Sequence, residues 1–202
     1  MLDDPHRIGS AEGGIASGGF PLGLARRYQT ALQVLGFACL TWAGARISVP
    51  LPFTPVPGTL QVLPVLLAGA LLGARAGAAS QALYLLSGVA GLPVFALAGA
   101  GPGYMLGPTG GYLIGFVGAA YVTGSVLAGF RRPGLAGAAL AFLAGGAVIH
   151  ACGLAWLAVF MGDPGAALRA GLLPFVLFDL AKIVVAIGIY TGSMRWKART
   201  LF

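Results

Sequence analysis

Asp179 and Lys182 lie three residues apart inside one apolar run, LPFVLFDLAKIVVAIGIY (173–190). An ionisable side chain within a membrane helix costs about 3 kcal/mol or more, so a chain that keeps two of them has a use for them. On a helix, positions i and i+3 share a face, which lets both groups point into one cavity. Two uses are compatible with that spacing. The pair can neutralise itself and pin its helix to a neighbour, or it can form a binding site; the rarity of intramembrane charge favours the site.

Other side chains could join it. Tyr112, in PTGGY (108–112), stands where a proline- and glycine-shaped entry leads into an apolar run, and can place a hydroxyl near a pocket mouth. Interface tyrosines also serve simply as membrane anchors. Gln61 and Tyr84 are polar groups within or beside apolar runs, able to hydrogen-bond either a neutral ligand or another helix. Phe53, Phe95 and Tyr104 fall in two elaborate loops and can supply apolar walls or a lid, or plain loop packing. His150 lies mid-run beside Cys152 and near Trp156; a neutral histidine bonded to a neighbouring helix is the expected role. No serine, second histidine or acid accompanies it at a catalytic spacing, so no catalytic residue is assigned and the chain does not read as an enzyme. Nor is there a GxxxxGK[ST] run. If ATP drives any process here, another subunit hydrolyses it. The two cysteines, Cys39 and Cys152, sit in apolar runs as small hydrophobes, and neither a metal site nor a cofactor is indicated.

The elements that must carry these groups follow from composition. The chain has 202 residues, 58% hydrophobic and only 8% charged, with 34 glycines. A soluble domain carries roughly 25% charged residues. The apolar runs are continuous rather than alternating, which excludes a transmembrane barrel and predicts an all-α membrane protein. The net charge of +7 comes in short clusters flanking apolar runs and reads as topology signal, not as a nucleic-acid surface. Residues 1–25 are expected to form a flexible cytoplasmic tail without signal-peptide character, and 26–202 an integral membrane domain. Six spans are predicted, at 28–47, 59–72, 77–94, 109–130, 135–160 and 172–194. The loop SVPLPFTPVPG (48–58), with four prolines, cannot be helix interior. FALAGAGPGYMLGP (95–108) is a glycine-rich aromatic loop and MGDPGAALRAG (161–171) a connector.

Six spans put both termini on one side, which then collects Arg7, Arg26, Arg27, Arg75, Arg131, Arg132, Arg195, Lys197 and Arg199, against Arg46 and Arg169 on the other. The positive-inside bias makes the first side cytoplasmic. Asp179 then lies roughly 10 Å below the outer surface, at about 1.5 Å per residue, with both elaborate loops above it. Small residues four apart, Gly69-x3-Gly73-x3-Gly77 and Gly111-x3-Gly115, allow close helix packing. Cys39-x3-Ala43 and Thr41-x3-Ala45 on the first span are further candidates for a docking face.

Four stretches, LPFTPVPGTLQVLPVLLAGALLG (51–73), YLLSGVAGLPVFA (84–96), LGPTGGYLIGF (106–116) and PFVLFDLAKIVVA (174–186), closely resemble the BioY family, in order and at matching spacing. These are the biotin-binding S components of energy-coupling-factor (ECF) vitamin transporters. The resemblance implies a six-helix protein of the cell membrane with cytoplasmic termini, biotin as the substrate, and a partner module of one transmembrane coupling subunit and two ABC-type ATPases. It maps the family's acid and lysine onto Asp179 and Lys182 and covers the site with the loops at 48–58 and 95–108. Asp179 is expected to accept from the ureido N–H groups, and Lys182 to meet either the carboxylate or the ureido oxygen. Two features depart from the family's pattern: Cys39-x3-Ala43 stands where many S components carry Ala-x3-Ala, and the chain holds no asparagine. A ureido contact made by Asn elsewhere would fall to Gln61, Tyr84 or water. A self-sufficient biotin carrier acting as a homo-oligomer is the alternative within transport; an intramembrane enzyme is the alternative outside it.

Overall fold

A computed structural model describes residues 22–131 and 133–200. Most of the tail expected at 1–25 lies outside the described residues, but the first helix, α1 (Leu22–Arg46), already begins four residues before Arg26. α2 (Val62–Leu72) and α3 (Ala74–Val89) follow, joined through Gly73. That glycine has φ 84° and ψ 170°, a region that side chains exclude, and it lets the chain reverse within one residue. Both helices are shorter than the spans predicted for them: α2 ends at Leu72 as predicted but loses residues 59–61 to the end of the proline-rich loop, and α3, which starts three residues early at Ala74, stops at Val89 because the loop entry at Ala90 claims residues that apolarity alone assigns to helix.

α5 (Gly110–Ala128), α6 (Leu135–Met161) and α8 (Val176–Thr200) follow the predicted fourth, fifth and sixth spans. All three contain stretches long and apolar enough to cross a bilayer. Leu177, Phe178, Val184 and Val185 of α8 face outward, as a lipid-contacting helix requires.

α5 is the centre, with α2, α3 and α6 packed on it. The glycines explain how closely. A Cβ at Gly69 would run into the Ala120 carbonyl, and one at Gly124 into the Ala74 backbone. A Cβ at Gly77 would strike the Gly69 backbone, and one at Gly111 the Trp156 side chain. Both glycine series therefore serve contacts inside the molecule. On α1 the two small-residue pairs separate: Thr41 and Ala45 are fully buried, whereas Cys39 and Ala43 stay exposed. The Thr41 hydroxyl donates to Gln81 Oε1 at 3.1 Å, tying α1 to α3.

The proline-rich loop is a small ribbon. β1 (Ser48–Val49) pairs antiparallel with β2 (Gly58–Thr59), in the register Ser48–Thr59 and Val49–Gly58. The Thr54 hydroxyl at its tip donates to the Ala170 carbonyl at 2.8 Å. Loop 95–108 holds a 3-10 turn (Ala96–Ala98) and a short helix, α4 (Gly101–Met105). Leu97 and Ala98 have φ of 54° and 58°, an arrangement costing roughly 1–2 kcal/mol per residue. The connector predicted at 161–171 is in fact a helix, α7 (Pro164–Gly171). Asp163 caps it by accepting from Gly165 N at 2.7 Å, and Pro164 opens its first turn.

Candidate functional site

The first turn of α8 follows Pro174, and its fourth residue is Asp179. One turn on, Lys182 Nζ donates to Asp179 Oδ1 at 2.6 Å. His150 reaches across from α6, its Nε2 3.0 Å from Asp179 Oδ2. The side chains of Lys182, Asp179 and His150 are only 10%, 12% and 18% exposed. A carboxylate thus stands between an ammonium group and an imidazole N–H, one donor on each oxygen. With the imidazole neutral, the three groups sum to zero charge, which makes their burial affordable. His150 Nδ1 is buried without a partner among the described residues.

These groups form one side of a cavity of about 60 Å³. Val56, Pro57 and Thr59 of the ribbon cover it, with Tyr104 and Thr109 from the second loop region. Gln61 and Val62 enter from the start of α2, and Tyr112, Leu113 and Phe116 from α5. Phe175 stands four residues before Asp179, on the same face of the chain. Burial pushes the Tyr104 phenol up from its usual range, against an opposing hydrogen bond with Thr109, so its hydroxyl keeps its proton at neutral pH.

Of the residues singled out by sequence, Asp179, Lys182, Tyr112 and Gln61 come together around this cavity. Tyr112 offers its ring, because its hydroxyl is committed to the Gly171 carbonyl at 2.8 Å. Tyr84 and Phe95 are not lining residues; they stand behind the wall. Gln61 Nε2 donates to the Tyr84 hydroxyl at 2.6 Å, which donates in turn to the Val94 carbonyl at 3.0 Å. Phe95 is fully buried, stacked on Tyr104 at 5.0 Å and edge-on to Tyr84 at 5.7 Å. Both therefore fix the residues that face the cavity. Phe53 lies outside the lining and is 66% exposed, whereas Val56, three residues on in the same loop, is buried and lines the cavity.

Sequence reasoning left Thr59, Thr109, Phe116, Phe175 and His150 out of the site. Phe116 and Phe175 carry a signal, since each lies four residues from a chosen site residue. His150 has none, because its partner is 29 residues away on another helix.

Two further cavities adjoin. One of about 130 Å³ lies between α6 and α8, lined by apolar groups such as Leu143, Ala147, Val176 and Leu180, and it shares His150 and Asp179 with the first. Another, of about 260 Å³, runs between the ribbon and α8 and shares Thr59, Phe175 and Lys182. No cluster of three or more metal-ligating side chains occurs among the described residues.

The model of the BioY family matches residues 20–199. The biotin transporter BioY of Thermotoga maritima is 43% identical over 150 residues, spanning 74% of this chain and 86% of that protein. A probable biotin transporter BioY from Pyrococcus horikoshii is 41% identical over 151 residues, spanning 75% and 87%. Among solved structures, the S-component for biotin from an ECF-type ABC transporter superposes with a TM-score of 0.79 at 24% identity, covering 85% of this chain and 93% of that one. The last is a likeness of fold.

Proposed function

The chain belongs to the BioY family, and from that premise we propose that it binds biotin in the Asp179–Lys182 cavity as the S component of an ECF transporter. It is a membrane protein of a transporter family, not an enzyme. The observation that carries the substrate reading is the charge pair itself: a carboxylate and an ammonium group, 2.6 Å apart, at an otherwise mostly apolar cavity on α8.

Biotin offers complementary chemistry. Its ureido N–H groups are donors for Asp179, whose oxygens each have one lone-pair position left after Lys182 and His150. Lys182 has two N–H bonds beyond the one on Asp179, for the ureido oxygen or the valerate carboxylate. Phe116, Phe175 and the Tyr112 ring supply apolar wall for the fused rings. A site for a drug-sized ligand occupies about 300–1,000 Å³. The cavity here is closed down well below that, at about 60 Å³. Admission of biotin therefore requires the ribbon and the 95–108 loop to move outward.

In the full reading six helices cross the cell membrane with both termini cytoplasmic, as the distribution of basic residues supports. Lipid contacts the apolar outer faces. The coupling subunit and two ABC-type ATPases supply the energy that reorients the protein. The chain contains no nucleotide-binding motif of its own, which agrees with energy supplied in trans.

The test is equilibrium binding of labelled biotin to the purified protein, wild type against Asp179→Asn, followed by uptake with and without the co-expressed coupling module. Tight binding lost in the variant, with uptake dependent on the module, is the expected result. Absence of wild-type binding overturns the substrate. Full uptake without the module overturns the S-component mechanism in favour of a self-sufficient carrier.

A further inference from the structure

We infer that His150 is a positioning residue of this site: from α6 it holds the second carboxylate oxygen of Asp179 and so fixes the edge that Asp179 shows to the ligand. The inference rests on the biotin reading above and adds a residue that sequence spacing does not assign.

Three observations carry it. Lys182 is on the same helix as Asp179 and engages only Oδ1; by itself it leaves the carboxylate free to rotate. His150 engages Oδ2 from a different helix, which removes that freedom. Second, among the described residues the imidazole has no other polar engagement. Its Nδ1 is buried without a partner among the described residues, whereas a histidine kept only for its own burial needs both nitrogens satisfied. Here the single polar contact is the site carboxylate. Third, nothing replaces it. Apart from His150 and Asp179 themselves, the cavity between α6 and α8 that these residues share is lined by apolar residues alone, so that side of the site offers Asp179 no donor in place of the imidazole. The ring is itself held edge-on to Tyr112 at 6.3 Å, and Tyr112 is anchored on the Gly171 carbonyl. The orientation of Asp179 is thus set from three helices, α5, α6 and α8.

Two measurements test this on the full chain in detergent. Biotin affinity is compared among wild type, His150→Phe and His150→Gln. The absolute infrared spectrum of ligand-free, ¹³C-aspartate-labelled protein follows the Asp179 carboxylate band, identified by its loss in Asp179→Asn. Removing a hydrogen bond to a charged group is expected to weaken binding about 10- to 100-fold in His150→Phe. His150→Gln, which keeps an N–H donor, is expected to recover most of it, and the carboxylate band is expected to shift in the Phe variant and return in the Gln variant. If Phe is not accommodated, His150→Met, flexible and apolar, makes the same comparison. Unchanged affinity overturns the proposal. So does weakened binding with an unmoved carboxylate band, which makes His150 a packing residue. A wild type that fails to bind biotin, with the band shift intact, overturns the biotin reading instead and leaves only the tether.

Discussion

Replacing Lys182 by Met keeps most of the side-chain volume and removes the charge, leaving Asp179 with His150 as its one side-chain partner among the described residues. Breaking a buried ion pair from one side costs about 3–5 kcal/mol. The Asp179 and Lys182 side chains are 12% and 10% exposed, so solvent relieves little of this, while the surviving imidazole contact places the cost at the low end. About 3 kcal/mol in a chain of this size corresponds to a fall in Tm of roughly 6–12 °C. Tryptophan fluorescence during heating in detergent, at one fixed scan rate, reads it. The informative partner is the double variant Asp179→Asn/Lys182→Met, in which no uncompensated charge remains. Stability is expected to return to within about 1 kcal/mol of wild type, because neutral replacements of a buried pair are often no worse than the pair. Biotin binding is expected to stay lost. A single variant as stable as wild type, or a double variant as unstable as the single, refutes the burial argument. Biotin binding retained in the double variant refutes the assignment of the pair to the ligand.

Phe53→Ala is expected to leave biotin affinity within about twofold, as exposed substitutions do, since Phe53 is turned away from the cavity; titration with labelled biotin checks it. Gly111→Ala forces a Cβ against Trp156 and is expected to cost about 1–3 kcal/mol. The same change at Gly36 or Gly188, where nothing lies within 4 Å, is expected to stabilise by about 0.5–1 kcal/mol; thermal unfolding separates the signs. Leu97→Asn, placing a residue tolerant of positive φ at 54°, is expected to raise stability by up to about 1 kcal/mol, and Leu97→Val to lower it. Tyr112→Phe strips the donor from the Gly171 carbonyl and is expected to cost about 1 kcal/mol of stability while changing affinity less than Lys182→Met does.

What the residues announced and what they withheld divide along a physical line. Asp179 and Lys182 are legible because i and i+3 on one helix fix their proximity before any tertiary contact forms. α5, α6 and α8 are legible because long apolar runs have few other fates. The His150–Asp179 contact is not, since it depends on how α6 and α8 cross. The same applies to Tyr84 and Phe95: sequence marks them as polar and aromatic near the site, and only packing tells that Gln61 and Tyr104 stand in front of them. α7 is legible in Asp163-Pro164, since an aspartate cap followed by a first-turn proline is a helix start. The glycine series names its helices but not their partners.

Those glycine contacts have a mechanical consequence. Where α2, α3 and α5 meet, main chain rests on main chain, at Gly69 against Ala120 and at Gly124 against Ala74, and a backbone has no rotamers with which to yield. That part of the molecule can only move as a block. Beside α8 the joint is of another kind, side chains around a cavity of about 130 Å³ rather than main chain on main chain. The protein is in this sense a stiff frame with a looser joint beside α8, and Asp179 stands at that joint.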